Sequence, residues 1–266
     1  MIDIKEHEEL SKLNHSCAHM MAQAVKRLYP QAKFWVGPVI SEGFYYDIDL
    51  GDTVIKDEDL PKIEKEMKKI AKDGKRIVRK EISKEEALEM FKDDPYKIEL
   101  IQDLEDGTIT CYQQGEFIDL CRGPHVETVK QLKNFKLLKH SGAYWKGDAN
   151  NKMLQRIYGI CFPTAEELEE HLNLLEEAKK RDHKKLGREL GLFMMSEYAP
   201  GMPFFLPNGM IVRNLLENFW YEEHTKENYQ FIKTPIMMSK ELWEVSGHWA
   251  NYKENMYTTS VDDREF

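Results

Sequence analysis

Long apolar runs are missing from this chain. No stretch approaches the roughly 18 consecutive apolar residues of a membrane-spanning helix, so no membrane partner is expected. The opening Met-Ile-Asp-Ile-Lys-Glu-His-Glu-Glu is acidic and has no apolar h-region, so no secretory signal is expected there. Cysteine is scarce: Cys17, Cys111, Cys121 and Cys161 lie far apart, which excludes a disulfide framework and reads as the thiols of a cytoplasmic protein. Internal repeats, low-complexity tracts and a glycine-rich phosphate loop are also absent. What is present is 41% hydrophobic and 32% charged residues, enough apolar side chain for a core and too much for a disordered tail. A length of 266 residues allows one large domain or two of ordinary size.

The net charge of −9 argues against nucleic acid until it is mapped. Residues 122–158 hold Arg122, Lys130, Lys133, Lys136, Lys139, Lys146, Lys152 and Arg156 against Glu127 and Asp148. That segment is +6 and the remainder −15. Such a stretch reads either as a phosphate-binding surface or as a solvated strand face.

Asp119-Leu-Cys-Arg-Gly-Pro-His125 is the most informative stretch. Asp119 and Cys121 follow the period of a strand and should share a face. Gly123 and Pro124 enforce a bend, which places His125 beyond it. A carboxylate, a thiol and an imidazole at a strand end point to a site, against the plainer reading of a surface turn. A helix is expected over 10–28, with Leu10, Leu13, Cys17, Met20, Met21, Ala24 and Leu28 in one apolar stripe and Pro30 closing it. His15 and His19, four residues apart, share the face opposite that stripe and are expected to look away from the helix's own core.

Strands are expected over 33–36 and 44–49, with Phe44, Tyr46 and Ile48 alternating onto one face. Asp59, Pro61 and Gly74 bracket a helix. A strand over 76–82 precedes a capping box, Ser83-Lys-Glu-Glu86, and a short helix ending before Asp94-Pro95. Further strands are expected over 96–100, 108–113, 116–120, 135–139, 143–145 and 153–162, with turns at Asp106-Gly107 and Gln114-Gly115. Helices among short, turn-linked strands favour an α+β domain with a mainly antiparallel sheet. Thr164-Ala-Glu-Glu167 opens a long charged helix running toward Lys185. After Gly187 come turn-rich apolar segments, an amphipathic helix (Ile211, Leu215, Leu216, Phe219, Trp220) and a strand over 229–234 ending at Pro235.

In this order and spacing, the segments resemble the threonyl-tRNA synthetases of bacterial type over nearly the whole chain. The motifs that carry the resemblance are His15-Ser-Cys-Ala-His19, Gly43-Phe-Tyr-Tyr-Asp47, Tyr96-Lys97, Asp119-Leu-Cys-Arg-Gly-Pro-His125 and Gly142-Ala-Tyr-Trp-Lys-Gly-Asp148. Arg181-Asp-His183, Ala199-Pro-Gly-Met202 and Gly247-His-Trp249 extend it. The resemblance implies an editing domain over 1–162, a linker helix over 163–186, and the first part of a class II catalytic domain over 187–266. The last would contain motif 1, which pairs two copies into a homodimer. Motifs 2 and 3, which bind ATP, and the ligands of the family's catalytic zinc find no counterpart here. Zinc and Mg-ATP are therefore expected of the full-length enzyme, and aminoacylation is not expected of this chain.

By the same resemblance, the editing site needs no cofactor and removes serine from mischarged seryl-tRNA(Thr). Its partners are the acceptor end of that tRNA and the seryl adenosine ester it carries. The implied catalytic residues are His15, Lys97, Asp119, Cys121 and His125, and the implied substrate-binding residues His19, Tyr46 and Arg122. Lys97 and His15 would position or deprotonate water and protonate the departing oxygen. Asp119 would hold the serine, and Tyr46 would form part of the wall excluding the threonine methyl. Two alternatives stay open. His15, His19, Cys121 and His125 have the types and spacing of a zinc set, as in the related alanyl-type editing domains. The chain could also be a non-catalytic fragment that binds tRNA or dimerises.

Overall fold

The computed structural model describes residues 2–105, 107 and 109–266, so Asp106 and Thr108, on which an expected turn and strand start fall, lie outside the described residues. The chain divides into two compact units, Met1–Lys180 and Arg181–Phe266. The architecture is α+β, with antiparallel pairing throughout the described strands. No helix among the described residues is long and apolar enough to cross a membrane.

The first unit is built around α1 (Glu8–Leu28), which carries Glu8 and Glu9 in its first turn and Lys26 and Arg27 in its last. Both placements oppose the helix dipole favourably. Next come β1 (Lys33–Phe34), β2 (Val39–Ile40) and β3 (Gly43–Asp49). With β7 (Asn134–Tyr144) and β8 (Met153–Phe162) they form a five-stranded sheet in the order β1-β3-β8-β7, β2 pairing with β3. Phe44, Tyr46 and Ile48 alternate onto the buried face, as expected. Asn14 fastens α1 to β8: its amide donates to the Cys161 carbonyl and accepts from the Cys161 N–H, both at 2.9 Å.

Helix α2 (Leu60–Asp73) has Pro61 in its first turn and ends at Gly74, whose φ of 65° is left-handed. Asp59 stands at the N-cap as expected, but its side chain makes no capping hydrogen bond to the helix. A 3-10 turn over Asp57–Asp59 precedes the helix, and the Asp59 carboxylate accepts from Lys56 N instead. A second, three-stranded sheet follows from β4 (Ile77–Ile82), β5 (Ile109–Gln114) and β6 (Phe117–Leu120). Between its strands lie α3 (Lys84–Met90), opened by the expected capping box, and α4 (Pro95–Gln102). Ala87, Phe91, Ile101, Ile109 and Cys111 form the small core beneath them.

Helix α4 corrects the expected strand over 96–100. Tyr96-Lys-Ile-Glu-Leu alternates like a strand, but Asp94 accepts from Tyr96 N and Lys97 N, and Pro95 takes the first helical position, where no N–H is needed. The strands expected over 135–139 and 143–145 are one, β7, bulged between Leu137 and Lys139. The long helix after Thr164 is also two. The capping box opens α5 (Ala165–Lys180), and Asp182 caps a separate α6 (His183–Glu189) by accepting from Lys185 N at 2.9 Å.

The second unit holds α6, a ribbon of β9 (Phe193–Met194) and β10 (Phe204–Phe205), α7 (Pro207–Lys226), α8 (Lys240–Val245), α9 (His248–Tyr252) and a ribbon of β11 (Ser260–Val261) and β12 (Arg264–Glu265). Residues 229–234, expected as a strand, form none: among the described residues no neighbouring strand supplies the hydrogen bonds that make an extended segment a strand.

Candidate functional site

One face of α1, one end of β6 and the bend after it supply the site. The imidazoles do not look out from α1 as the sequence pattern implied. Packing of α1 against β3, β8 and α2 buries the middle of the helix on nearly every side, and His19 is 4% exposed. Two short elements, β6 and the bend, close over the polar face. Asp119 ends up buried, Cys121 half-buried, and His125 returns to α1 after a bend with Gly123 at φ 75°. A side chain at Gly123 would collide with the Tyr112 ring.

Cys121 Sγ lies 3.2 Å from His15 Nε2 and 3.2 Å from His125 Nε2, and Gly123 N donates to the same sulfur at 3.2 Å. The His19 ring stands 4.5 Å from that of His125 and 5.3 Å from that of His15. On the other side of His19, Asp119 meets three groups. Lys97 Nζ is 2.6 Å away, the Tyr46 hydroxyl donates to it in a short hydrogen bond, and His19 Nε2 is 3.8 Å away. Lys97 is 3% exposed, and its ammonium also donates to the Trp35 carbonyl at 2.9 Å and the Tyr46 hydroxyl at 3.2 Å. All three of its donors are thereby used, which is how a buried ammonium is tolerated.

Burial sets the protonation of the remaining groups. It holds His125 down to about 2, helped by its neighbours His19 and His15. Burial also lowers His15, against a hydrogen bond to the Pro124 carbonyl, and pushes His19 well below the ordinary histidine value. The Cys121 thiol is raised to about 12 by burial, and the Tyr46 phenol well above its ordinary value by burial and the Asp119 carboxylate. At neutral pH the site therefore holds neutral imidazoles and a thiol.

The hydrogen bonds also fix a tautomer. The Ser16 hydroxyl donates to the Lys12 carbonyl at 2.9 Å, so toward His125 Nδ1, at 3.0 Å, it can only accept. His125 then carries its proton on Nδ1 and keeps a lone pair on Nε2, the atom that faces Cys121. Ser16 and Tyr112, whose ring lies 4.4 Å from that of His125, were not singled out in the sequence. Ser16 had no signal beyond its position next to His15. Tyr112 was recoverable only from hairpin register, which sets it opposite Asp119.

The structure thus brings together His15, His19, Tyr46, Lys97, Asp119, Cys121 and His125. Arg122 is not among them: it is exposed and lines, with Asp103 and Glu105, a cavity of about 700 Å³ that reaches the cluster only at Cys121. Half of the cations of the basic segment over 122–158 are spent on carboxylates of this chain. Lys136 pairs with Glu64, Lys146 with Glu99, Lys152 with Asp49 and Arg156 with Asp47. A metal fits the donor set: one ligand atom from each of His15, His19, Cys121 and His125 lies within 4.8 Å of all the others, and neutral imidazoles with a cysteine suit tetrahedral zinc.

Residues 109–158, which include Cys121 and His125, match the family described as the threonyl and alanyl tRNA synthetase second additional domain. The threonine–tRNA ligase of Syntrophomonas wolfei subsp. wolfei is 54% identical over 269 residues, covering 100% of this chain and 42% of that protein. The Clostridium tetani threonine–tRNA ligase is 53% identical over 280 residues, covering 100% of this chain and 44% of its own. That of Clostridioides difficile is 56% identical over 265 residues, covering 98% and 41%. The chain spans about two fifths of the length of the curated relatives it matches. It is homologous along its length to the threonine–tRNA ligases and carries the second additional domain that they share with alanyl-tRNA synthetases.

Proposed function

We propose that the first unit hydrolyses the ester of seryl-tRNA(Thr) and so edits a mischarging error of a threonine–tRNA ligase. Serine differs from threonine by one methyl, which a binding pocket discriminates by only about 10–200-fold. A second site that admits the smaller ester and cleaves it raises the ratio. The observation that carries this reading is the adjacency, around His19, of neutral imidazoles to the buried Lys97–Asp119–Tyr46 group.

Water attacks the seryl carbonyl carbon, and an imidazole lone pair, on His125 Nε2 or on His15, takes its proton. The tetrahedral intermediate collapses by breaking the bond to the ribose oxygen. That oxygen receives the proton from the imidazolium, and the imidazole is regenerated. Asp119 accepts from the serine ammonium or hydroxyl, with Lys97 fixing the carboxylate's orientation. Tyr46, held on β3, forms the wall that a threonine methyl meets. His19 separates the two halves of the site and orients the ester.

Residues 1–162 are the editing domain in this reading, and 163–186 connect it to residues 187–266, the beginning of a class II catalytic domain with the dimer-forming motif 1. Zinc and Mg-ATP belong to the full-length enzyme, tRNA(Thr) is the partner, and the location is cytoplasmic. The convergence of four ligand atoms favours a second reading, in which His15, His19, Cys121 and His125 hold zinc. Bound there, zinc would supply hydroxide at neutral pH. One equivalent of zinc in the purified protein, with activity lost on chelation and restored by zinc, selects that version. Activity indifferent to chelation selects the metal-free one.

The test of the function itself is release of serine from seryl-tRNA(Thr) and of threonine from threonyl-tRNA(Thr), by the wild-type chain and by His125→Ala. Serine released rapidly, threonine retained and the variant slow is the expected result. Equal, slow release of serine by both proteins would remove the hydrolytic reading.

A further inference from the structure

The lysines that the site's own chemistry leaves unused are not scattered. Lys68 and Lys72 stand on the outer side of α2, and Lys130 and Lys133 on and just beyond the 3-10 turn Val129–Gln131. With Ala71 and Phe135 they line a pocket of about 260 Å³ that no carboxylate enters. All four are exposed, and none takes part in an ion pair among the described residues, unlike Lys62, Lys69, Lys136 or Lys146 nearby in sequence. The stem of Lys130 lies over Gly74, where its Cβ and Cδ would stand 3.9 Å from an added side-chain carbon.

This pocket shares two of its lysines with a cleft at the catalytic bend. Lys130 and Lys133 also line a neighbouring cleft of about 560 Å³, to whose lining His125 belongs. Glu9 and Glu127 are the only acidic residues on that cleft, and Lys12 lies with them, held by Glu9 at 2.8 Å. The cavity on the Cys121 side is lined instead by Asp103 and Glu105 against Arg122. Of the two approaches to the cluster, the lysine side is the one a polyanion can follow.

We propose that Lys68, Lys72, Lys130 and Lys133 form the groove that holds the phosphate backbone of the RNA leading to the scissile ester, with the cleft at His125 receiving its 3′ end. The inference rests on the deacylase reading for the identity of the ester. The groove's affinity for RNA phosphates, however, can be read separately. It replaces the contiguous basic stretch over 122–158: the surface is assembled from two segments some sixty residues apart, and half of the cations of that stretch are spent on internal carboxylates.

The test uses the full chain with Lys68→Gln, Lys72→Gln, Lys130→Gln and Lys133→Gln combined, beside a control carrying Lys62→Gln and Lys92→Gln. Binding of deacylated tRNA(Thr) is titrated from low to moderate salt, and single-turnover serine release is measured from seryl-tRNA(Thr) and from a seryl adenosine ester that carries no phosphate. Every phosphate that no longer meets a lysine lowers the slope of log affinity against log salt by about 0.7–0.9. The quadruple variant should therefore lose about 3–3.5 from that slope and bind tRNA at least about tenfold more weakly at low salt, while the control keeps its slope. Serine release from the tRNA ester should fall relative to release from the nucleoside ester. If the quadruple variant keeps the wild-type slope and the wild-type ratio of the two esters, the groove is not the RNA surface. A purely structural role for these lysines would lower the melting temperature and leave the slope in place, which also overturns the proposal. Should the wild-type chain release serine from neither ester, the deacylase reading fails, and the salt slope alone still decides whether the groove holds RNA.

Discussion

Helices α1 and α7 are of nearly equal length, 21 and 20 residues, and both carry abundant apolar side chains. In the first unit α1 is enclosed by strands and α2, so that even polar Asn14, Ser16, His19 and Gln23 are buried. In the second unit α7 buries only Gly209 and shows Ile211, Leu215, Leu216, Phe219 and Trp220 to solvent. The difference lies in what surrounds each helix, not in helix-forming tendency. Enclosure is also what creates the chemistry: without burial His125 would titrate as an ordinary histidine, and Lys97 and Asp119 would be a surface pair contributing little.

The largest test of this contrast is kinetic. His125→Ala should slow serine release by roughly 10²–10⁴-fold, the range for loss of a positioned proton acceptor. Phe219→Ala, on α7, should leave it unchanged in the same single-turnover assay.

Stability should divide the units next. Removing Lys97 as Lys97→Ala strands a buried Asp119 and should cost about 3–5 kcal/mol in denaturant unfolding of the first unit. Phe44→Ala, at a fully buried position of β3, should cost a similar ~3–5 kcal/mol. Phe219→Ala should stay within about 0.5 kcal/mol, as for other exposed positions. Equal losses for Phe44 and Phe219 would dissolve the contrast.

The pH dependence follows in size. His15, His19 and His125 are held below their ordinary 6.5, so under that pH the unfolded chain binds protons that the folded one refuses. Stability of the first unit should therefore fall as pH drops below about 6.5. Cys121 is raised from 9.0 to about 12, so above pH 9 the unfolded chain loses a proton that the folded one keeps, and stability falls there too. Melting temperatures between pH 4 and 10 should show a plateau from about 6.5 to 9. In His125→Ala the acid side of that plateau should be shallower.

Among changes at the site, Ser16→Ala should have the smallest effect. It removes the acceptor of the His125 Nδ1 and Val126 N hydrogen bonds, about 1–2 kcal/mol of unpaired polar group. Serine release should slow by about tenfold or less, because His125 is loosened and not removed.

The sequence made some of this legible because the signal was local. Phe44, Tyr46 and Ile48 alternate, Ser83-Lys-Glu-Glu86 caps a helix, and Gly123-Pro124 bends the chain, each for reasons contained in a few neighbouring residues. Of the seven side chains that meet at the site, Asp119, Cys121 and His125 and the pair His15 and His19 stood out by spacing, and Lys97 and the role of Tyr46 came through resemblance. What placed them was tertiary and left no local trace. The polar face of α1 reads as solvent-facing because periodicity cannot show that the bend after β6 covers it. Tyr96-Lys-Ile-Glu-Leu alternates like a strand because the deciding residue, Asp94, acts from outside it. The basic run over 122–158 reads as one surface because its carboxylate partners come from distant segments. Residues 229–234 have the composition of a strand and no strand beside them.

That the first unit by itself houses the complete hydrolytic site is tested most directly by residues 1–180 alone, assayed for single-turnover serine release from seryl-tRNA(Thr) beside the whole chain. The enclosed site predicts a rate within a few-fold of the whole chain's, with threonyl-tRNA(Thr) left intact. Serine release that requires residues 181–266, or threonine release as fast as that of serine, would contradict it.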